Sequence, residues 1–184
     1  IISANLNGAG GLTKSSGAGT LKLSGTNNYS GVSTVSAGVL QFANTASLYN
    51  GNTASWTKTN ITANSGGTLA FNVGGAGEFT TGNVTTLLGN LTTGINNNGL
   101  RGGSAIGFDT TNAAGGTFTV GDVIANSTGT GSGTLGLTKL GTNTLVLSNA
   151  NTYTGATAIN AGTLQLDGSI ASGSTVNVGT AGTL

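Results

Sequence analysis

Gly19-Thr20-Leu21-Lys22-Leu23-Ser24, followed by Asn28-Tyr29-Ser30-Gly31 and Val35-Ser36-Ala37-Gly38-Val39-Leu40-Gln41-Phe42, decides the fold of this chain. Its strand-like pieces set two apolar side chains about a polar one: Leu21 and Leu23 flank Lys22, and Leu40 and Phe42 flank Gln41. Along an extended backbone successive side chains point to opposite faces, so the apolar pair turns one way and the polar residue the other. Leu21 and Leu40 lie 19 residues apart. A chain that returns the same side chain to the same phase at that interval stacks into a solenoid.

The stretch has a second copy. Gly11-Leu12-Thr13-Lys14 recurs as Gly136-Leu137-Thr138-Lys139, and Thr20-Leu21-Lys22-Leu23-Ser24 as Thr144-Leu145-Val146-Leu147-Ser148. Asn28-Tyr29-Ser30-Gly31 returns as Thr152-Tyr153-Thr154-Gly155, and Ala37-Gly38-Val39-Leu40 as Ala161-Gly162-Thr163-Leu164. The copies span about 10–42 and 136–166, inside a single β-helical segment covering 1–184. Leu69 with Phe71, Leu164 with Leu166 and Val176 with Val178 repeat the alternating device elsewhere. Gly and Asn between these pieces supply the positive φ of tight turns. The pattern predicts an all-β chain, a parallel β-helix of about eight coils at that period. An antiparallel sandwich uses similar short strands, but the recurring phase favours the solenoid.

Residues 72–112 break the beat and read as an insertion. Val84, Leu87, Leu88 and Leu91 have the spacing of a helical face, with Asn83 placed to cap it. The insertion is expected to lie on the side of the rod.

Composition removes most chemistry. With no Cys and no His there is no disulfide, no thiolate or imidazole metal site, and no Ser-His or Cys-His nucleophile. No cofactor is expected. Charged residues make up 5% of the chain, net +1, and form no cluster, which argues against nucleic acid as a partner. No apolar run reaches the roughly 20 residues that cross a bilayer as a helix. The acids are Glu78, Asp109, Asp122 and Asp167. Asp109 and Asp122 are the pair that adjacent coils could bring together for glycoside hydrolysis, but the expectation is a non-enzymatic protein. Trp56 with Tyr49 and Phe79 offers either a sugar-stacking platform or the packed core of the insertion.

The order Gly-Gly-Leu-Thr-Lys (10–14), Gly-Thr-Leu-Lys-Leu-Ser-Gly (19–25), Asn-Asn-Tyr-Ser-Gly (27–31) and Ala-Gly-Val-Leu (37–40) resembles the passenger-associated transport repeat of bacterial autotransporters and related giant surface proteins. Residues 137–166 match again, with Asn149 where the repeat usually has Gly. The resemblance implies a right-handed β-helix, export to the bacterial cell surface or beyond, and a role as stalk or adhesin. The two ends also fit each other. Gly182-Thr183-Leu184 placed before Ile1-Ile2-Ser3 reproduces the beat of residues 19–24. These five residues (Ile1, Ile2, Gly182, Thr183 and Leu184) are therefore the expected self-assembly ends, and the expected partner is another copy of the chain or a tandem neighbour. The reading is a structural unit of an extracellular filament or stalk; the alternative is an adhesin module that binds a surface glycan.

Overall fold

The structure is a computed structural model that describes all 184 residues. Its spine is one parallel ladder. Leu21 lies beside Leu40, Leu40 beside Leu69, Leu69 beside Ile106 and Ile106 beside Leu137. Leu137 then meets Thr157, and Thr157 meets Val176. Ile2 adds a level beneath, bridged to Leu23. The chain thus climbs through eight levels as a parallel β-helix, and the steps along the ladder are 19, 29, 37, 31, 20 and 19 residues. The short steps belong to the two repeat copies and the long ones to the coils between them.

The core forms because each coil exposes an apolar stripe that only its neighbours can cover. Leu23, Phe42, Phe71 and Phe108 form one inward column, all fully buried. Phe42 and Phe71 stack with ring centroids 6.1 Å apart. A single cluster of 32 buried apolar residues runs the length of the rod.

The excursion is narrower than the sequence suggests. Gly99–Leu100 already pairs with Thr62–Ala63, and Ala105–Asp109 is back in the main ladder. What leaves the rod is centred on the helix Thr81–Leu91, which buries Val84, Leu87, Leu88 and Leu91 as their spacing predicts. Thr80, not Asn83, is the N-cap: its side chain accepts from the Asn83 N–H, and Asn83 reaches back to the Thr80 N–H. A Thr before a helix and an Asn three residues in make a reciprocal box, which outcompetes a cap at Asn83 alone.

The excursion also shifts the phase. A second sheet holds Leu12–Lys14, Ser33–Val35, Ile61–Ala63 and Gly99–Leu100, and ends there. The second copy's counterpart of Leu12–Lys14 is the strand Gly136–Leu140, and it does not join that sheet. It stacks instead on Ala105–Asp109, so that Lys139 stands above Phe108 in the column of Leu23, Phe42 and Phe71. Thr117–Val120 meanwhile opens a new column, which Thr144–Leu147 and the second half of Thr157–Leu166 extend. Each copy keeps its internal pairing, Lys14 beside Val35 and Lys139 beside Ile159. The second copy is therefore set around the rod by one strand relative to the first.

Gly38 and Gly162 occupy the matching corner of each copy with φ of +64° and +67°. A Cβ at Gly38 would lie 2.5 Å from the Gly17 carbonyl oxygen, and one at Gly162 the same distance from that of Gly141. Both the left-handed backbone and the close approach of the coil below demand glycine. Gly89, in the exposed face of the helix, has nothing near its missing Cβ. Gly162→Ala should lower the unfolding free energy by about 2 kcal/mol or more, and Gly89→Ala should raise it by about 0.5–1 kcal/mol, as read by urea denaturation.

Candidate functional site at the repeat corners

The polar residues of the repeat gather at its corners. Lys14 ends the strand Leu12–Lys14 and Lys139 lies in Gly136–Leu140, and each turns its ammonium onto backbone carbonyls of two coils. Lys139 Nζ donates to Leu140 O and Gly141 O, both at 2.7 Å, and to Ala161 O in the next coil at 3.0 Å. Lys14 Nζ repeats the arrangement with Gly17 O at 2.8 Å, Ser16 O, and Ala37 O at 3.1 Å. Three donors meet three acceptors, so each lysine closes its own turn and pins it to the coil above. Lys139 is fully buried, and burial pushes it down from 10.5 to about 8, against the opposing pull of the Asp109 charge.

Asparagine does similar work one corner on. Asn27 Oδ1 accepts from Leu6 N–H in the coil below at 2.9 Å, while its amide donates to Ser47 O in the coil above at 2.8 Å. Asn151 does the same with Ile124 N–H at 2.9 Å and Ser169 O at 3.2 Å. Two residues further, Tyr29 Oη shares a hydrogen bond with Ser33 Oγ at 2.6 Å, and Tyr153 Oη with Thr157 Oγ1 at 2.6 Å. Burial raises both phenols, and that of Tyr49, above the usual tyrosine value. Asn27 and Asn151 were not singled out from the sequence, although the identical Asn-x-Tyr spacing in both copies marks them.

Asp109 and Asp122, the pair that adjacent coils could have brought together, bond to different partners. Asp122 accepts from Thr85 Oγ1 on the helix, whereas Asp109 accepts from Thr111 and from the Gln41 amide. Gln41 reaches Asp109 past the methyl group of Ala70 and the bare Cα of Gly107, which leave room along that face. Lys22 approaches the same carboxylate at 3.7 Å. Burial pushes Asp109 up, but the Thr111 and Gln41 hydrogen bonds and the Lys22 charge outweigh it and hold the carboxyl below its ordinary value. The acid linked to Asp109 is Glu78: Asn72 accepts from Gln41 and donates to Glu78, which also takes up Asn112. This network spans three coils and spends its polar atoms internally.

Trp56 and Tyr49 form no stacking platform. Trp56 is fully buried, donates its indole N–H to Leu48 O at 3.0 Å, and packs on Phe79 with centroids 5.3 Å apart. Tyr49 is 5% exposed and tilts against Tyr29. Large rings beneath an excursion gain more from burial than from solvent. Of the end residues, Ile2 sits in the stack, donating to Lys22 O and accepting from Ser24 N–H. Gly182 and Thr183 pair with Gly162 and Thr163, while Ile1 and Leu184 are largely exposed.

A coil stack whose corners are closed by motif lysines, asparagines and glycines defines a repeat-built parallel β-helix. The passenger-associated-transport-repeat model matches residues 12–42 and 137–166, the two copies that carry these corners. The Adhesin BmaC autotransporter of Brucella suis biovar 1 (strain 1330) is 36% identical over 157 residues. That alignment covers 79% of this chain and 4% of the relative's length. No solved structure matches. Residues 12–42 and 137–166 are thus autotransporter-type repeats, a kind that is surface-exposed or extracellular.

The buried lysine and tyrosines fix the sign of the pH dependence. Between pH 8 and 10.5 the unfolded chain keeps the Lys139 proton that the folded chain has released, so stability rises with pH. Above the ordinary tyrosine value of 10 the unfolded chain loses phenolic protons that the folded chain holds, so stability falls. Urea midpoints measured from pH 6.5 to 11 should climb past pH 8 and then drop. Lys139→Met should abolish the climb and, by leaving three carbonyls without their donor, cost about 1–3 kcal/mol at pH 7.

Proposed function

We propose that this chain is a non-catalytic length of a cell-surface stalk, extended by coil-on-coil continuation at its open edge strands. The observation that carries the reading is how the repeat uses its polar residues. Lys and Asn of both copies bond to neighbouring coils, Tyr29 and Tyr153 bond to a hydroxyl of their own coil, and no buried side-chain nitrogen or oxygen lacks a partner. A motif spent this way makes a rod, not a reaction centre. The terminal strand Val176–Thr183 supports extension. It pairs in register with Thr157–Leu166 and sets Val178 above the buried Ile159, so the inward column of one coil is continued by the next. Flat strand edges recruit further strands. The relative named as an adhesin supports a second reading, in which the rod also presents an adhesive surface.

Sedimentation and negative-stain microscopy over a range of concentrations test the stalk reading. Rods of about 35 Å should lengthen end to end as concentration rises. Val178→Lys should leave single folded rods, because a charge on the edge opposes strand addition. Wild-type rods that stay single at every concentration, or lengthening unaffected by Val178→Lys, contradict it.

A further inference from the structure

The sequence Asn28-Tyr29-Ser30 and the 3-10 turns between residues 45 and 55 enclose an open cleft of about 360 Å³. That is near the lower end of small-ligand clefts, roughly 300–1,000 Å³. No charged residue lines it. Amides dominate its walls, from Asn28, Asn50, Asn52 and Asn60, with Ser30 and Ser55 between them. Tyr29 and Tyr49, each 5% exposed, close its floor with ring centroids 5.0 Å apart.

The walls divide into fixed and free groups. Asn52 donates to Ser55 Oγ at 3.1 Å and Asn60 to Ser55 O at 3.0 Å, which holds one side in place. The Tyr49 hydroxyl is anchored below, donating to Asn60 O at 2.6 Å. Asn28, Ser30 and Asn50 are exposed, and their side chains bond to nothing within the chain. Tyr49 and Asn50 moreover both have φ of +51°, in the left-handed region that non-glycine residues seldom adopt in succession. Backbone of this kind persists where the surroundings hold it, and it tends to gather at ligand sites. Asn50 itself lines the cleft.

We propose that this cleft binds a neutral saccharide. Each free amide offers a donor beside an acceptor, the pattern that adjacent sugar hydroxyls match. The edges of the Tyr29 and Tyr49 rings in the floor add a small apolar contact rather than a stacking face. The lack of any lining charge leaves carboxylated or sulfated sugars without a counter-ion. The site goes beyond the stalk reading and stands without it. It also differs from a Trp56 platform, since Trp56 takes no part.

Saturation-transfer NMR on the full chain tests it, using lactose, maltotriose and chitotriose as neutral probes and 3′-sialyllactose as the charged one. At least one neutral probe should show saturation, exceeding that of the charged probe. Asn28→Ala and Asn50→Gly should each weaken binding about fivefold, the loss of a hydrogen-bonding group. Asn50→Gly removes the amide but suits the left-handed backbone, so its melting temperature should equal or exceed wild type. No saturation by any neutral probe overturns the proposal. So does saturation that both variants leave unchanged, or a preference for the charged probe.

Discussion

A coil of this protein cannot complete itself. Its strands are too short and too far apart around the rod to pair with one another, so their hydrogen bonds run to the coils above and below. Its apolar stripe likewise faces an axis that only adjacent coils can fill. Almost everything else follows from this dependence. The glycines at 38 and 162 exist because the coil beneath passes within contact distance of the backbone. The Phe column exists because in-register parallel stacking sets like beside like.

The same dependence explains polar groups inside the rod. A corner where the chain turns away from its ladder leaves carbonyls that no strand can reach, and leaving such groups bare inside a fold is costly. Lys14 and Lys139 bring three donors to each such corner, and Asn27 and Asn151 bridge the coils on either side of their own. Because those acceptors belong to successive coils, the side chains that cap a turn also bind turn to turn. The repeat motif thus encodes junctions, and its family likeness in sequence is a likeness of corners more than of core.

Much of this was legible in the residues. Alternating pairs such as Leu21 and Leu23 gave the strands, the interval between Leu21 and Leu40 gave the coil, and Val84 to Leu91 gave the helix. The phase shift was not legible. Each copy looks the same along the chain, and only the added strands Ala105–Asp109 and Thr117–Val120 move the second copy around the rod. The site was harder still. The part that Lys14 and Lys139 play depends on carbonyls of the next coil, which no local pattern places. Trp56 left the binding ring open beside the packed core, because burial beneath an excursion depends on residues distant in sequence. The cleft beside Tyr49 depends on side chains from three separate segments and on two left-handed residues that no local pattern marks.

Stalk and cleft are compatible uses of one scaffold: a rigid stack holds its outward loops in fixed positions, and loops so held are where binding concentrates. Everything rests on the register that resumes after the helix, where Thr68 lies beside Ala105. The chain has no cysteine of its own, so a cysteine pair placed at Thr68 and Ala105 reports that register alone. Neighbouring parallel strands fall within the roughly 4.4–6.8 Å between Cα atoms that a disulfide spans. The in-register stack requires the pair to oxidise in air within the folded chain and to raise its melting temperature. A pair that stays reduced while the protein remains folded contradicts it.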